Sequence, residues 1–127
     1  MTADRPDLTG RRILVVEDDY YLAVDSSEWL EQAGATVVGP AGTLDQVKGL
    51  LAVEPVDAAM IDINLGSGPT FEVAGALSEQ GIPFLFATGY DQAAIQPQFG
   101  TVPRLEKPFS GRALIAAVAG VSGVSRN

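Results

Sequence analysis

An α/β fold built on a doubly wound, five-stranded parallel sheet is predicted from three observations. Short continuous apolar runs of the kind buried on both faces recur along the chain, helical patterns alternate with them, and polar residues gather where the runs end. With 127 residues and 46% hydrophobic content, the chain has the size of one domain and enough apolar surface for a real core.

The elements follow in order. A first apolar run at 13–16 leads into a helical pattern carrying Leu22, Trp29, Leu30 and Ala33, and Gly34 is a natural stop. A weaker run at 35–38 comes next. Gly39-Pro40-Ala41-Gly42 then reads as a loop and not as a phosphate cradle, since no Lys-Ser or Lys-Thr follows it. Thr43 can cap a second helix carrying Leu44, Val47 and Leu51. The run at 58–61 predicts a third strand. Pro69 suits the first turn of the helix after it, with Phe71, Ala74 and Leu77 facing inward and Gly81 closing it. The run at 84–87 predicts a fourth strand. Residues 91–96 make only a short helix that Pro97 cuts off, and Gln98-Phe99-Gly100 has no helical period, so this region is expected to be short or mobile. A weaker run at 101–105 and a helix capped by Ser110, carrying Leu114, Ile115 and Val118, complete the alternation. Such alternation implies right-handed crossovers and helices on both sides of a parallel sheet. Trp29, Phe84 and Phe86 are expected in the core, and Arg11 and Arg12 at a solvated strand edge. The domain is expected over 11–120, with a polar flexible N-terminus at 1–10 and a flexible tail, rich in Ser and Gly, at 121–127.

Composition excludes several function classes. Without cysteine or histidine there is no disulfide framework, no thiolate or imidazole zinc site, and no cysteine or histidine for a hydrolytic triad. A net charge of −8 argues against direct nucleic-acid binding, which calls for clustered Lys and Arg. No apolar stretch suits a signal peptide or a membrane span, so the expectation is a cytoplasmic protein with no membrane partner.

In open parallel sheets, ligands bind beyond the carboxyl ends of the strands. Glu17, Asp18 and Asp19 follow the first run, Asp62 the third, Thr88 the fourth and Lys107 the fifth, so these chain-distant groups converge on one crevice. Two unit charges at about 4 Å repel by roughly 4 kcal/mol at an effective dielectric near 20, so the gathered carboxylates call for a cation, and one lysine is not enough. Magnesium, or manganese, suits a few carboxylates together with waters and a phosphoryl oxygen. A carboxylate can attack phosphorus and form an aspartyl phosphate, with Asp62 as the natural acceptor. Lys107 would neutralise one phosphoryl oxygen and Thr88 hydrogen-bond another. Asp19 is as well suited to capping the first helix as to touching metal, and Tyr90 as well suited to partner contact as to loop packing.

Ile-Leu-Val-Val-Glu-Asp-Asp, Met-Ile-Asp-Ile-Asn-Leu, Phe-Ala-Thr-Gly-Tyr and Glu-Lys-Pro-Phe, in this order and at these intervals, resemble the receiver domains of bacterial response regulators over about residues 11–120. The resemblance implies a flavodoxin-like, CheY-like (βα)5 fold and a phosphoprotein of two-component signal transduction. It implies that Asp62 is the phosphoacceptor, that Asp18 binds the metal directly and Glu17 through water, and that Asn64 offers its backbone carbonyl. It gives Thr88 and Lys107 the hydroxyl and lysine roles, and makes Lys107-Pro108 a cis bond. Implied partners are a sensor histidine kinase, HWE-type among the candidates, and a histidine phosphotransfer protein. Such a domain catalyses its own phosphotransfer and dephosphorylation and is not a turnover enzyme. It would stand alone and act through other proteins, as a phosphate relay, a phosphate sink or a binding regulator.

Two departures stand out. The position of the usual switch aromatic, three residues before the lysine, is Arg104, and Gly66 replaces a proline often found after the phosphorylated strand. Pro-Phe-Leu-Phe-Ala-Thr-Gly-Tyr with Pro-Arg-Leu-Glu-Lys-Pro-Phe resembles the single-domain receiver subgroup nicknamed FAT GUY, and Thr88, Gly89 and the short fourth helix would then carry the signal. The alternatives are a pseudo-receiver that binds partners without phosphorylation, an Asp-nucleophile phosphohydrolase of the haloacid dehalogenase type, and a flavodoxin-like cofactor binder. The second would place Asp-x-Asp after the first strand, and the third needs a phosphate loop there; this chain has neither.

Overall fold

The central apolar runs become strands because β-branched and aromatic side chains fill both faces of a buried pleat. A computed structural model describes residues 7–63, 70–89 and 97–123. Strands β1 (Arg12–Val16), β2 (Thr36–Ala41), β3 (Ala58–Asp62), β4 (Phe84–Thr88) and β5 (Arg104–Glu106) form one sheet in the order β2-β1-β3-β4-β5, with every neighbouring pair parallel. Helices α1 (Tyr20–Gln32), α2 (Leu44–Val53), α3 (Thr70–Glu79) and α4 (Gly111–Ser122) cover it. The expected doubly wound α/β sheet is the observed one.

Alternate residues of each inner strand feed two cores. Leu14 and Val16, Ala59 and Ile61, and Phe84 and Phe86 pack with Val47 of α2 and with Val73, Ala74 and Leu77 of α3. Ile13 and Val15, Ala58 and Met60, and Leu85 and Ala87 pack with Leu30 of α1 and with Leu114 and Val118 of α4. A buried valine- or leucine-sized side chain contributes about 1.5–3 kcal/mol, so these two layers dominate the stability. Trp29 is only half-buried; it packs on the second core, edge-on to Phe109.

The helix caps are those the sequence predicts. Thr43 Oγ1 accepts from Gln46 N at 3.2 Å and Ser110 Oγ from Ala113 N at 3.1 Å. Gly34 follows α1 with φ +99°.

Elsewhere the structure departs from expectation. β2 runs on through the segment read as a loop: Gly39 takes φ +94°, the Gly39-Pro40 bond is cis, and the register against β1 shifts between Leu14 and Val16. A bulge thus accommodates a glycine and a proline that signal a turn by composition alone. The packed body also reaches past 11–120 at both ends. Leu8 is fully buried and donates its N–H to Ala33 O at 2.8 Å, while Val121 packs on the second core and α4 ends only at Ser122. One apolar residue in a polar stretch is a weak sequence signal, which is why Leu8 escapes notice. Arg12 is not a free solvated edge: it ion-pairs with Glu54 and donates Nε–H to Pro55 O at 2.8 Å. Pro97–Phe99 forms a 3-10 turn where no helical period was legible, because three residues are too few to show one. Pro69 and the short helix expected at 91–96 lie outside the described residues.

Candidate functional site

The carboxyl ends of β1, β3, β4 and β5 bring the predicted groups together. Glu17 follows β1, and its N–H donates to Ala41 O at the end of β2, at 2.9 Å. Asp62 ends β3 and Thr88 ends β4; Glu17, Asp62 and Thr88 are all buried. Lys107 follows β5, its N–H bonded to Thr88 O at 2.6 Å. That bond directs its side chain across the strand ends, where Nζ lies 3.1 Å from Asp62 Oδ1 and 3.3 Å from Glu17 Oε1.

Asp18 is exposed at the rim. Even so, one oxygen each from Glu17, Asp18 and Asp62 lies within 4.8 Å of the others. All three are hard oxygen donors, and Glu17 Oε1 is buried with the Lys107 ammonium beside it. A donor set of this kind can hold a magnesium-like cation, which prefers carboxylates and water.

Burial first, and then charge crowding, sets the protonation of the site. Burial pushes the Glu17 carboxyl up from 4.5 to about 7; the nearby Asp62 adds to this, against the Asp19 N–H and Lys107. Burial also works against the Lys107 ammonium, but Glu17 and Asp62 outweigh it and hold its pKa above the ordinary 10.5. One cation therefore serves two buried carboxylates, and their oxygens keep capacity for a second.

The remaining expectations divide. Asp19 is the N-cap of α1, its Oδ1 accepting from Leu22 N at 3.1 Å, while its own N–H donates to Glu17 Oε2 at 3.1 Å. The cap reading describes it, and in addition it steadies Glu17. The Lys107-Pro108 bond is cis. Gly89 follows β4, half-buried. Arg104 is exposed at the start of β5, paired in register with Phe86, two residues short of the strand end. Asn64, Gly66 and Tyr90 lie outside the described residues.

Sequence reasoning missed Thr70. It is buried at the first position of α3, and its hydroxyl lies 2.9 Å from Ile63 O and 3.2 Å from Asp62 O. A threonine opening a helical run is a legible signal, but backbone acceptors across a loop are not. Phe99 was missed as well: it stacks on Phe71 at 5.8 Å and meets Phe84 and Phe86 edge-on.

No protein-family model matches the chain. Its fold, its strand-end acids and lysine, and its likeness to solved relatives make it a member of the response-regulator receiver domains. It is 33% identical to SdrG from Sphingomonas melonis Fr1, over 90% of this chain and 97% of that one, with a TM-score of 0.76. The non-phosphorylated HemR receiver domain from Leptospira biflexa is 29% identical, over 92% and 98% of the two chains, with a TM-score of 0.74. The transcriptional regulatory protein PdtaR of Mycobacterium tuberculosis is 26% identical over 121 residues, 92% of this chain. The chain spans 59% of the length of that relative. Among the described residues, no helix is long and apolar enough to cross a membrane.

Proposed function

We propose that this receiver is phosphorylated on Asp62 in a two-component phosphorelay and signals through protein partners. The observation that carries the reading is the Lys107 ammonium 3.1 Å from Asp62 Oδ1, beside three carboxylate oxygens within 4.8 Å of one another. An Asp62 carboxylate oxygen attacks the phosphorus of a phosphohistidine on a sensor histidine kinase or a histidine phosphotransfer protein. The P–O bond forms as the P–N bond breaks, and the leaving imidazole takes up a proton. Lys107 balances charge on one phosphoryl oxygen, and the Thr88 hydroxyl is suited to donate to another. Magnesium or manganese, held by Glu17, Asp18, Asp62 and the Asn64 carbonyl, would neutralise the remaining charge. Water later cleaves the acyl phosphate, so the protein phosphorylates and dephosphorylates itself without turning over a separate substrate. A BeF3-activated conformation is known for SdrG, 34% identical to this chain, and supports the same chemistry here. The Phe-Ala-Thr-Gly-Tyr segment favours the FAT GUY subgroup and an HWE-type kinase as donor.

The test is intact mass after incubation with acetyl phosphate and magnesium. One added phosphoryl group is expected, lost in Asp62→Asn and without metal. An unmodified wild type that also takes up no beryllofluoride would leave the pseudo-receiver reading, which the exposed Arg104 at the switch position favours.

A further inference from the structure

Thr70 stands between the acceptor strand and α3. Only 3% of it is exposed, so water cannot readily replace its hydroxyl. Its acceptors are the carbonyl of Asp62 itself, at 3.2 Å, and that of Ile63, at 2.9 Å. On the other side of the strand end, the Ile63 N–H donates to Ala87 O of β4 at 3.0 Å. The peptide groups on both sides of Ile63 are therefore held, one by β4 and both by Thr70. A hydroxyl carries one proton, so the two carbonyls share it, and both must keep their orientation for the contact to persist.

We propose that Thr70 is a positioning residue for the acceptor site: its hydroxyl fixes the backbone at Asp62 and Ile63, and so the aim of the Asp62 carboxylate. The inference rests on the phosphoacceptor reading given above. Groups that orient metal ligands in this indirect way typically change metal affinity or activity by about 10- to 100-fold when removed.

Thr70→Val keeps the shape and removes the proton; Thr70→Ser keeps the proton and removes a methyl. Magnesium affinity would be read by calorimetry, and the rate of Asp62 phosphorylation by mass at saturating acetyl phosphate. In Thr70→Val, both are expected to fall by about tenfold, with Thr70→Ser within about threefold of wild type. A Thr70→Val protein equal to wild type would overturn the proposal, and so would equal damage in the two variants, which would mark a packing role. Should Thr70→Val not fold, the wild-type hydroxyl proton decides. By NMR it should exchange slowly and lie close to the Ile63 carbonyl; a freely exchanging proton would overturn the clamp. Failure of the receiver reading is separately visible, as a wild type that takes up neither magnesium nor phosphoryl, and it would remove the ground for the proposal as well.

Discussion

Glu17 places a carboxyl whose pKa is raised to about 7 inside the cluster of strand-end acids. Its folded pKa is raised to about 7 from an ordinary 4.5, so its protonated form favours folding. That contribution is fully present below 4.5 and is lost as pH rises through about 7. Metal-free protein should therefore lose stability across this window, and Glu17→Gln should lose less, as read by chemical denaturation at several pH values. Metal needs the ionised form, so magnesium affinity should strengthen as pH rises through about 7 in wild type and depend less on pH in Glu17→Gln, measured by calorimetry. The Lys107 shift is also upward, and its effect is lost only above 10.5, outside that window.

At the scale of elements, α1 and α4 meet where glycine leaves room for an indole. A Cβ on Gly111 would fall 2.7 Å from Trp29 Cγ, too close without displacing the ring. Gly111→Ala should destabilise by about 1–3 kcal/mol despite its better helix propensity, and the cost should shrink in a Trp29→Ala background, as thermal unfolding of the four proteins would measure. The opposite face carries the four-phenylalanine cluster joining α3, β4 and the 3-10 turn. Phe99 is buried though it belongs to no long element. Phe99→Ala should cost about 3 kcal/mol in urea denaturation, well above the value for an ordinary loop residue.

For the whole molecule, the sheet and its winding were legible because three inner strands are continuously apolar and each feeds two cores. The strand-end acids, Asp62 and Lys107 were legible because a parallel sheet sends every carboxyl end to the same side. Asp19 could be narrowed only to two roles, since a cap and a metal ligand use the same carboxylate. What stayed hidden depends on distances the sequence does not encode locally. The Thr70 hydroxyl bonds backbone seven and eight residues away, Leu8 buries a single apolar side chain, and β2 hides a bulge behind turn-forming residues. The weak run at 101–105 overlaps the observed β5, Arg104–Glu106, at two residues only; β5 is an edge strand paired with β4.

The two cores also differ in what light they can emit. The chain's single tryptophan packs on the α1 and α4 side, whereas four of its five phenylalanines sit on the side of α2 and α3. Indole emission is therefore a native label for one layer of the sandwich, and the aromatic side chains described in the core of the other layer are phenylalanines, which do not emit under indole excitation. A rearrangement confined to the α2 and α3 layer would leave indole emission unchanged, so a flat emission trace would say nothing about whether that layer had moved.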